Sequence, residues 1–360
     1  MVRENSSRPR YDDVDLQLIH VLQESARISW TDAGRVLRLS PTAVAARWSR
    51  LVAEGVAWIA VHPNPVAPEY VTALVELGCR PTDRAALAGR LVRDGRIVSL
   101  DETSRGSDLV LTVIVRDLDA LARFILDDLE PIDEITSVRS SVVLGVFGRG
   151  NDWRAGTLDA DQIAELRRVN SAYTGSEGTE PARSASHLPP ESWRIAEQLM
   201  RDGRLSVAEL SRAIDRNPAT VRRHLAALLA TDRLAFRCDV VHSLLNYPVT
   251  AGFFARVPGS EVAQVIEKLQ RLPQLRMGVQ VTGEANLYFS VLLRSVSDVV
   301  RFQHQLGGLI PGLTVIESWV LLRSRKRMGW ILDEAGRSTG ELVLPAVLES
   351  VLGPASTQAG

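Results

Sequence analysis

The chain has 360 residues, 45% hydrophobic and 24% charged, which excludes disorder throughout and leaves room for about two to four folded domains. A formal net charge of −1 excludes a global basic field, so any nucleic-acid binding has to come from local patches. Two cysteines exclude a disulfide framework, no run reaches the roughly 18 apolar residues of a membrane span, and the N-terminal residues lack the apolar core of a signal peptide, so a cytoplasmic protein is expected.

Val14, Leu18, Val21 and Leu22 lie at helical spacing and predict a helix over about Asp13 to Glu24, followed by a short one from Thr31 to Leu37. Ser40 is a good N-cap and Pro41 needs no backbone N–H at the first helical position, so a third helix starts there and runs to about Ala53. Its Val44, Trp48, Leu51 and Val52 form an apolar stripe, with Ala43, Arg47 and Arg50 looking away. The three helices predict a trihelical unit ending in a helix-turn-helix, and Val56 to Pro63 reads as a β element.

A β-α-β-β-α-β order follows: strands at Val71 to Leu77, Ile97 to Glu102, Leu109 to Val115 and Thr136 to Val146, helices at Asp83 to Arg93 and Leu118 to Leu129. This is a ferredoxin-like sandwich whose bare, apolar sheet face must find a partner. Asn170 to Pro190, rich in Ser, Gly, Pro and Thr, reads as a linker.

The sequence then repeats itself. At an offset of 177 residues, Leu18 to Ala57 aligns without a gap with Ile195 to Leu234, and Trp153 still meets Trp330. Helices are expected at Ile195 to Met200, Val207 to Ile214 and, after the N-cap Asn217, Pro218 to Ala230, with Val221, Leu225, Leu228 and Leu229 inward and Arg222, Arg223 and His224 outward. Leu234 to Val241 reads as a β element. Strands at Val249 to Val257, Gly278 to Val281, Leu287 to Leu293 and Leu313 to Leu322, with helices at Glu261 to Leu269 and Val296 to Leu306, make the second sandwich. A unit this long is a duplicated domain set and not a solenoid repeat, so the fusion supplies its own dimer mate. The expected fold is α+β: two winged or trihelical helix-turn-helix units, each followed by a βαββαβ sandwich of barrel-like dimerisation type. Boundaries fall at 11–63, 68–148, 149–190 (connecting helix and linker), 191–243, 246–327 and 328–360, a C-terminal extension whose tail from Gly353 reads as disordered.

The order and the residues Asp12, Asp15, Leu39-Ser40-Pro41-Thr42 and Arg47-x-x-Arg50-Leu51 resemble the Lrp/AsnC family of transcriptional regulators, over about Tyr11 to Arg327. The resemblance implies contact with double-stranded DNA by Thr42, Ala43, Arg47, Arg50, Ala219, Thr220, Arg222, Arg223 and His224, since a recognition helix presents such side chains to the major groove. It also implies a small-molecule effector, an amino acid or other metabolite, beside the turn after the second sandwich strand. That turn carries Gly283, Glu284 and Asn286 in the second half and Asp108 in the first, where Arg105 replaces the glycine. Gly283 equally suits any hairpin and Glu284 and Asn286 any hairpin cap.

The pairing expected is an intrachain pseudo-dimer, with further homo-oligomers open. The tandem architecture also resembles siroheme decarboxylases, with Asn286-Leu287-Tyr288 as the echo, but residues 270 to 300 contain no His to move protons. The six histidines lack partners at ligand spacing, and neither Cys has a His at a recognisable position, so no metal, cofactor, catalytic residue, enzymatic activity or membrane partner is assigned.

Overall fold

In the first trihelical unit α1 (Asp13–Glu24) begins with a capping box: Asp12 accepts from Asp15 N at 2.9 Å, and Asp12 N donates to the Asp15 carboxylate at 3.1 Å. Next come α2 (Trp30–Leu37), capped by Ser29, and α3 (Pro41–Ala53), capped by Ser40. Arg38 takes the left-handed conformation, φ 57°, to end α2. At Gly34 a Cβ would meet Leu39 O at 2.6 Å, so only glycine lets the α2–α3 turn close this tightly. The computed structural model describes residues 11–64, 70–104, 108–148, 153–175, 189–231 and 233–348.

The remaining elements, in chain order, begin with β1 (Ala57–Pro63), β2 (Val71–Cys79), α4 (Arg84–Leu91), β3 (Ile97–Thr103), β4 (Leu109–Val115) and α5 (Leu118–Ala122). After β5 (Ile135–Gly148) and α6 (Ala160–Gly175), the second trihelical unit comprises α7 (Pro190–Arg201), α8 (Val207–Ile214) and α9 (Pro218–Leu229). Then follow β6 (Leu234–Val240), β7 (Val249–Arg256), α10 (Val262–Gln270), β8 (Leu275–Val281), β9 (Leu287–Leu293), α11 (Ser297–Leu309) and β10 (Thr314–Arg327), with β11 (Trp330–Leu332) and β12 (Ser338–Leu342) in the extension.

β5 pairs with both β2 and β8, and β10 with both β3 and β7, so eight antiparallel strands close in the order β3-β4-β2-β5-β8-β9-β7-β10. Closure removes the unpaired edges a lone sandwich would expose. The bare faces of the two sheets look inward, where Leu74, Val110, Phe254, Val279, Tyr288 and Trp319 make a shared core.

The contacts between halves are reciprocal. β1 pairs antiparallel with β6, Ala57 to Val240 and Pro63 to Leu234, about a centre at Ala60 and Arg237, which are equivalent under the 177-residue offset. Arg27 donates to the carbonyls of Gly203 and Leu205, and Arg204 to those of Ala26 and Ile28, which are again equivalent positions. Such self-complementary pairing is what a two-fold axis produces in a homodimer. Arg38 and Asp215, both left-handed at equivalent positions, end α2 and α8 alike.

Several expectations need correction. Val52 and Leu229, read as core, are each 44% exposed. No wing hairpin forms from residues of one unit alone: each unit contributes one strand to the β1–β6 ribbon. The helix expected over Leu118 to Leu129 is α-helical only through α5 and widens to π-helical turns over Arg123–Leu129. α6 continues to Gly175, into the stretch read as linker; residues 176–188 and the tail from Gly353 lie outside the described residues. The extension, for which no structure was predicted before Gly353, folds back: Trp330 and Leu332 pack on Trp58 and Ala60.

Candidate functional site

α3 and α9 each end a helix-turn-helix, but their outward faces differ. Ser40 accepts from Ala43 N at 3.2 Å, leaving Thr42 exposed and Ala43 half-buried; Asn217 accepts from Ala219 N at 2.8 Å, leaving Ala219 exposed and Thr220 half-buried. Arg47 and Arg50, expected to look outward, instead turn onto α1. Arg47 pairs with Asp12 and Asp15, both at 2.8 Å, and Arg50 with Asp15 at 2.6 Å. The hydrogen bond that each donates to the Asp15 carboxylate is the chief reason that both guanidiniums are held above their ordinary pKa.

The same contact recurs in the second unit between a serine and a histidine. Ser192 stands at the Asp15 position and His224 at the Arg47 position, and Ser192 Oγ lies 3.3 Å from His224 Nδ1. His224 therefore bridges α7 and α9. Arg222 and Arg223 remain exposed and, among the described residues, neither has an ion-pair partner. Their equivalents on α3 are Ala45 and Ala46.

The residues expected beside an effector lie at the β8–β9 and β3–β4 turns. Gly283, φ 119°, and Glu284 are exposed at the β8–β9 hairpin tip. Asn286 accepts from Val257 N at 3.0 Å and donates to Val257 O at 2.8 Å, which staples the hairpin to the end of β7. Asp108 accepts from Cys79 N at 2.8 Å and pairs with Arg84, tying β2 to the start of α4. Arg105 falls outside the described residues.

None of those four lines the interior cavity. This space, about 160 Å³, lies inside the closed barrel and has apolar walls that include Leu74, Ile114, Val143, Val146, Val279 and Trp319. Its polar lining includes His62, Asp101, Arg237, His242, Arg276, Tyr288, Lys326 and Arg327, from both halves. Behind it, fully buried Asp239 pairs with Arg237 at 2.6 Å and Arg276 at 3.1 Å. Burial alone would push the Asp239 carboxyl up, but Arg237, Arg327 and Arg276 outweigh it and hold it below the usual range. Burial pushes Asp101 up despite its hydrogen bond with Ser324. The sequence reading missed this site because its residues are scattered over six strands and one loop; the available signal was the charged Arg237, Asp239 and Arg276 interrupting apolar strands.

His62 Nδ1 lies 2.9 Å from Pro63 O, while its Nε2 is buried without a partner among the described residues. Burial, followed by repulsion from Arg237, lowers its pKa to about 4. Because a neutral imidazole is favoured in the fold and pKa 6.5 is restored on unfolding, stability is fully present above about pH 6.5 and is lost as pH falls from there toward 4. The expected loss is on the order of 3 kcal/mol. Urea midpoints across that window should show it, and a His62→Gln variant should flatten the dependence; equal slopes in both proteins would refute the assignment.

The comparisons with known proteins agree with this architecture. The model for the AsnC-type helix-turn-helix domain matches residues 12–52, that for the Lrp/AsnC ligand binding domain 72–151, and one for a winged helix-turn-helix DNA-binding domain 192–232. An uncharacterized HTH-type transcriptional regulator of Pyrococcus abyssi is 30% identical over 149 residues, 41% of this chain and 94% of the relative. The HTH-type transcriptional regulator Ptr1 of Methanocaldococcus jannaschii is 27% identical over 143 residues, 39% of this chain and 96% of its own length. Among solved structures, the siroheme decarboxylase NirDL shares the fold over 87% of this chain and 92% of its own, with a TM-score of 0.56 at 12% identity. With a helix-turn-helix and ligand-binding domain of this type in its first half, and nearly the whole of a 30% identical regulator covered, the chain belongs to the Lrp/AsnC family of transcriptional regulators.

Proposed function

We propose that the chain is a tandem-duplicated, sequence-specific DNA-binding regulator in which one polypeptide forms a pseudo-dimer with two unlike recognition helices, responding to a small-molecule effector in the cytoplasm. The domains are those the sequence predicts: helix-turn-helix units at 11–63 and 191–243, and sandwiches at 68–148 and 246–327. The observation that carries the reading is the contrast between α9 and α3. Arg222 and Arg223 stand exposed on the reading helix, where cations meet phosphates and guanine edges, while Arg47 and Arg50 are engaged by α1. DNA contact on the first unit then falls to Thr42 and Ala43, and on the second to Ala219, Thr220, Arg222 and Arg223.

Replacing Arg222 and Arg223 together by Ala should weaken binding to all sequences and flatten its salt dependence by about one log-log unit for each phosphate no longer neutralised. Fragments selected by the purified protein should show two dissimilar half-sites, because operator symmetry mirrors protein symmetry and the two readers differ. A perfect palindrome bound through one kind of helix, or an unchanged salt slope in the double variant, would count against the proposal.

One observation favours a second reading. His62 and His242 bring imidazoles to the cavity beside Tyr288, supplying from β1 and the segment after β6 what residues 270 to 300 lack, and three arginines line the same space. A siroheme decarboxylase-like activity on this shared architecture would use such groups to hold propionates and move protons. The cavity of about 160 Å³ is smaller than the roughly 300–1,000 Å³ typical of ligand pockets, too small for a tetrapyrrole, which favours the regulator. An absorbance scan of the purified protein separates them: a tetrapyrrole band would favour the enzyme.

A further inference from the structure

We propose that the cavity inside the closed barrel binds a small carboxylate with a flat apolar body and no amino group. The proposal rests on the effector reading and deepens it, and moves the site from the hairpin tip at Gly283, Glu284 and Asn286 to the interior.

Charge is the first argument. Arg237, Arg276 and Arg327 all line the cavity, and a guanidinium stays protonated at any physiological pH. Against them stand Asp239, placed behind Arg237 and Arg276, and Asp101, whose carboxyl burial shifts toward the neutral form. His62 and His242 are both held below their ordinary pKa by burial and by neighbouring arginines, so they add no further positive charge and leave the excess to the arginines. A largely apolar cavity whose wall carries more fixed cations than anions favours an anion, because buried charge is tolerated only when paired. Arg327 is the least engaged of the three: its Nη1 reaches Val240 O only at 3.4 Å, which leaves its planar fork for a carboxylate.

Unmet hydrogen-bonding capacity is the second argument. His62 is 3% exposed and Trp319 4%, and His62 Nε2 and Trp319 Nε1 are buried with no partner among the described residues. Both side chains line this cavity. Buried polar atoms are rarely left unpaired, and the Trp319 Nε1–H is a donor suited to a carboxylate oxygen, whereas His62 Nδ1 already donates to Pro63 O and leaves Nε2 as an acceptor that a water beside the ligand would meet.

Shape and polarity set the body of the ligand. Trp319 and Tyr288 are stacked at 24° with centroids 6.2 Å apart, and the facing walls are aliphatic. A cavity of about 150 Å³ takes up benzene, so one of about 160 Å³ suits a single ring or a branched chain of similar size. An amino acid fits poorly, because its ammonium would add a cation to a site already in excess.

Three ring compounds of matched size test this: phenylacetate, phenylglycine as its zwitterion, and benzyl alcohol, each titrated by calorimetry into the full chain without DNA. Phenylacetate should bind saturably and raise Tm, whereas the other two at equal concentration should leave it unchanged. Arg327→Gln should keep the apo Tm and weaken phenylacetate by about tenfold or more. If that variant does not fold, Trp319→Phe, which removes the unpaired N–H and keeps an aromatic wall, serves the same comparison. Binding of phenylglycine or benzyl alcohol as tight as that of phenylacetate, undiminished phenylacetate affinity in the variant, or no heat up to roughly 10 mM phenylacetate would overturn the proposal. A mobility-shift assay with and without phenylacetate is scored separately: phenylacetate bound without any effect on DNA would refute regulation through the cavity and leave the site standing.

Discussion

Asp239→Ala should lower the stability of the chain by about 3–5 kcal/mol, the usual cost of removing one partner from a buried ion pair. Asp239 has no exposed side-chain surface, and its two closest contacts are the guanidiniums of Arg237 and Arg276, themselves 11% and 10% exposed. With the carboxylate gone, Arg237, Arg276 and Arg327 lose the anion they share. The destabilisation comes from uncompensated charge more than from the missing hydrogen bonds, so Asp239→Ala combined with Arg276→Met should be more stable than Asp239→Ala alone. Urea unfolding of the three proteins checks this, and a single-variant loss below about 1 kcal/mol would show that water already screens the cluster. The pH sign follows from the same geometry. The carboxyl is held below its ordinary value in the fold, so its contribution is present above about pH 3.9 and disappears as pH falls through the lower folded value.

Arg204→Ala, and Arg27→Ala likewise, should each cost about 2–3 kcal/mol, because each guanidinium satisfies two carbonyls of the opposite unit and charged hydrogen bonds of this kind carry about 1.5–3 kcal/mol. Arg204 also lies 3.7 Å from the centre of the Trp30 ring, so its removal forfeits a cation–π interaction across the halves. Burial, and next the like charge of Arg27, lowers the Arg204 pKa to about 10. Removing one arginine therefore relieves the other, and the double variant should lose less than the sum of the two singles. Neither arginine touches a reading helix face, yet both fix where α3 stands relative to α9. DNA affinity should fall in the single variants while the isolated helicity persists. Strict additivity, or full DNA affinity in Arg204→Ala, would show that the clamp does not set the spacing.

The parts of this protein legible from sequence were those encoded locally. Ser40-Pro41 and Asn217-Pro218 mark the starts of α3 and α9, and the short, nearly continuous apolar runs Leu109–Val115 and Leu287–Leu293 mark β4 and β9, because a cap or a buried strand is decided within a few residues. The destinations of Arg47 and Arg50 were not, although Asp12 and Asp15 stood in view: which way a long side chain turns depends on how α1 crosses α3. Closure of the barrel leaves no trace in either half, since β10 pairs with β3 and β5 with β8 only once both sandwiches exist. The cavity is harder still. Its cations come from β6, β8 and β10, where Arg237 and Arg276 looked like charges interrupting apolar runs and Arg327 like the end of a basic surface stretch.

The closed barrel also sets the order of events during synthesis. β3 acquires its outer neighbour only when β10 exists, and the Glu102–Arg325 pair that fastens them spans 223 residues. At about 5–20 residues per second a ribosome needs roughly 10 to 45 s to make that stretch. Throughout that interval the first sandwich has a free strand edge and an uncovered apolar face, the two features that most invite association between nascent chains. A fused pseudo-dimer thus escapes the search for a second subunit but waits longer, on each molecule, for its own second half. Slow folding dominated by distant contacts and a dependence on chaperones at high expression are the kinetic counterpart of the architecture.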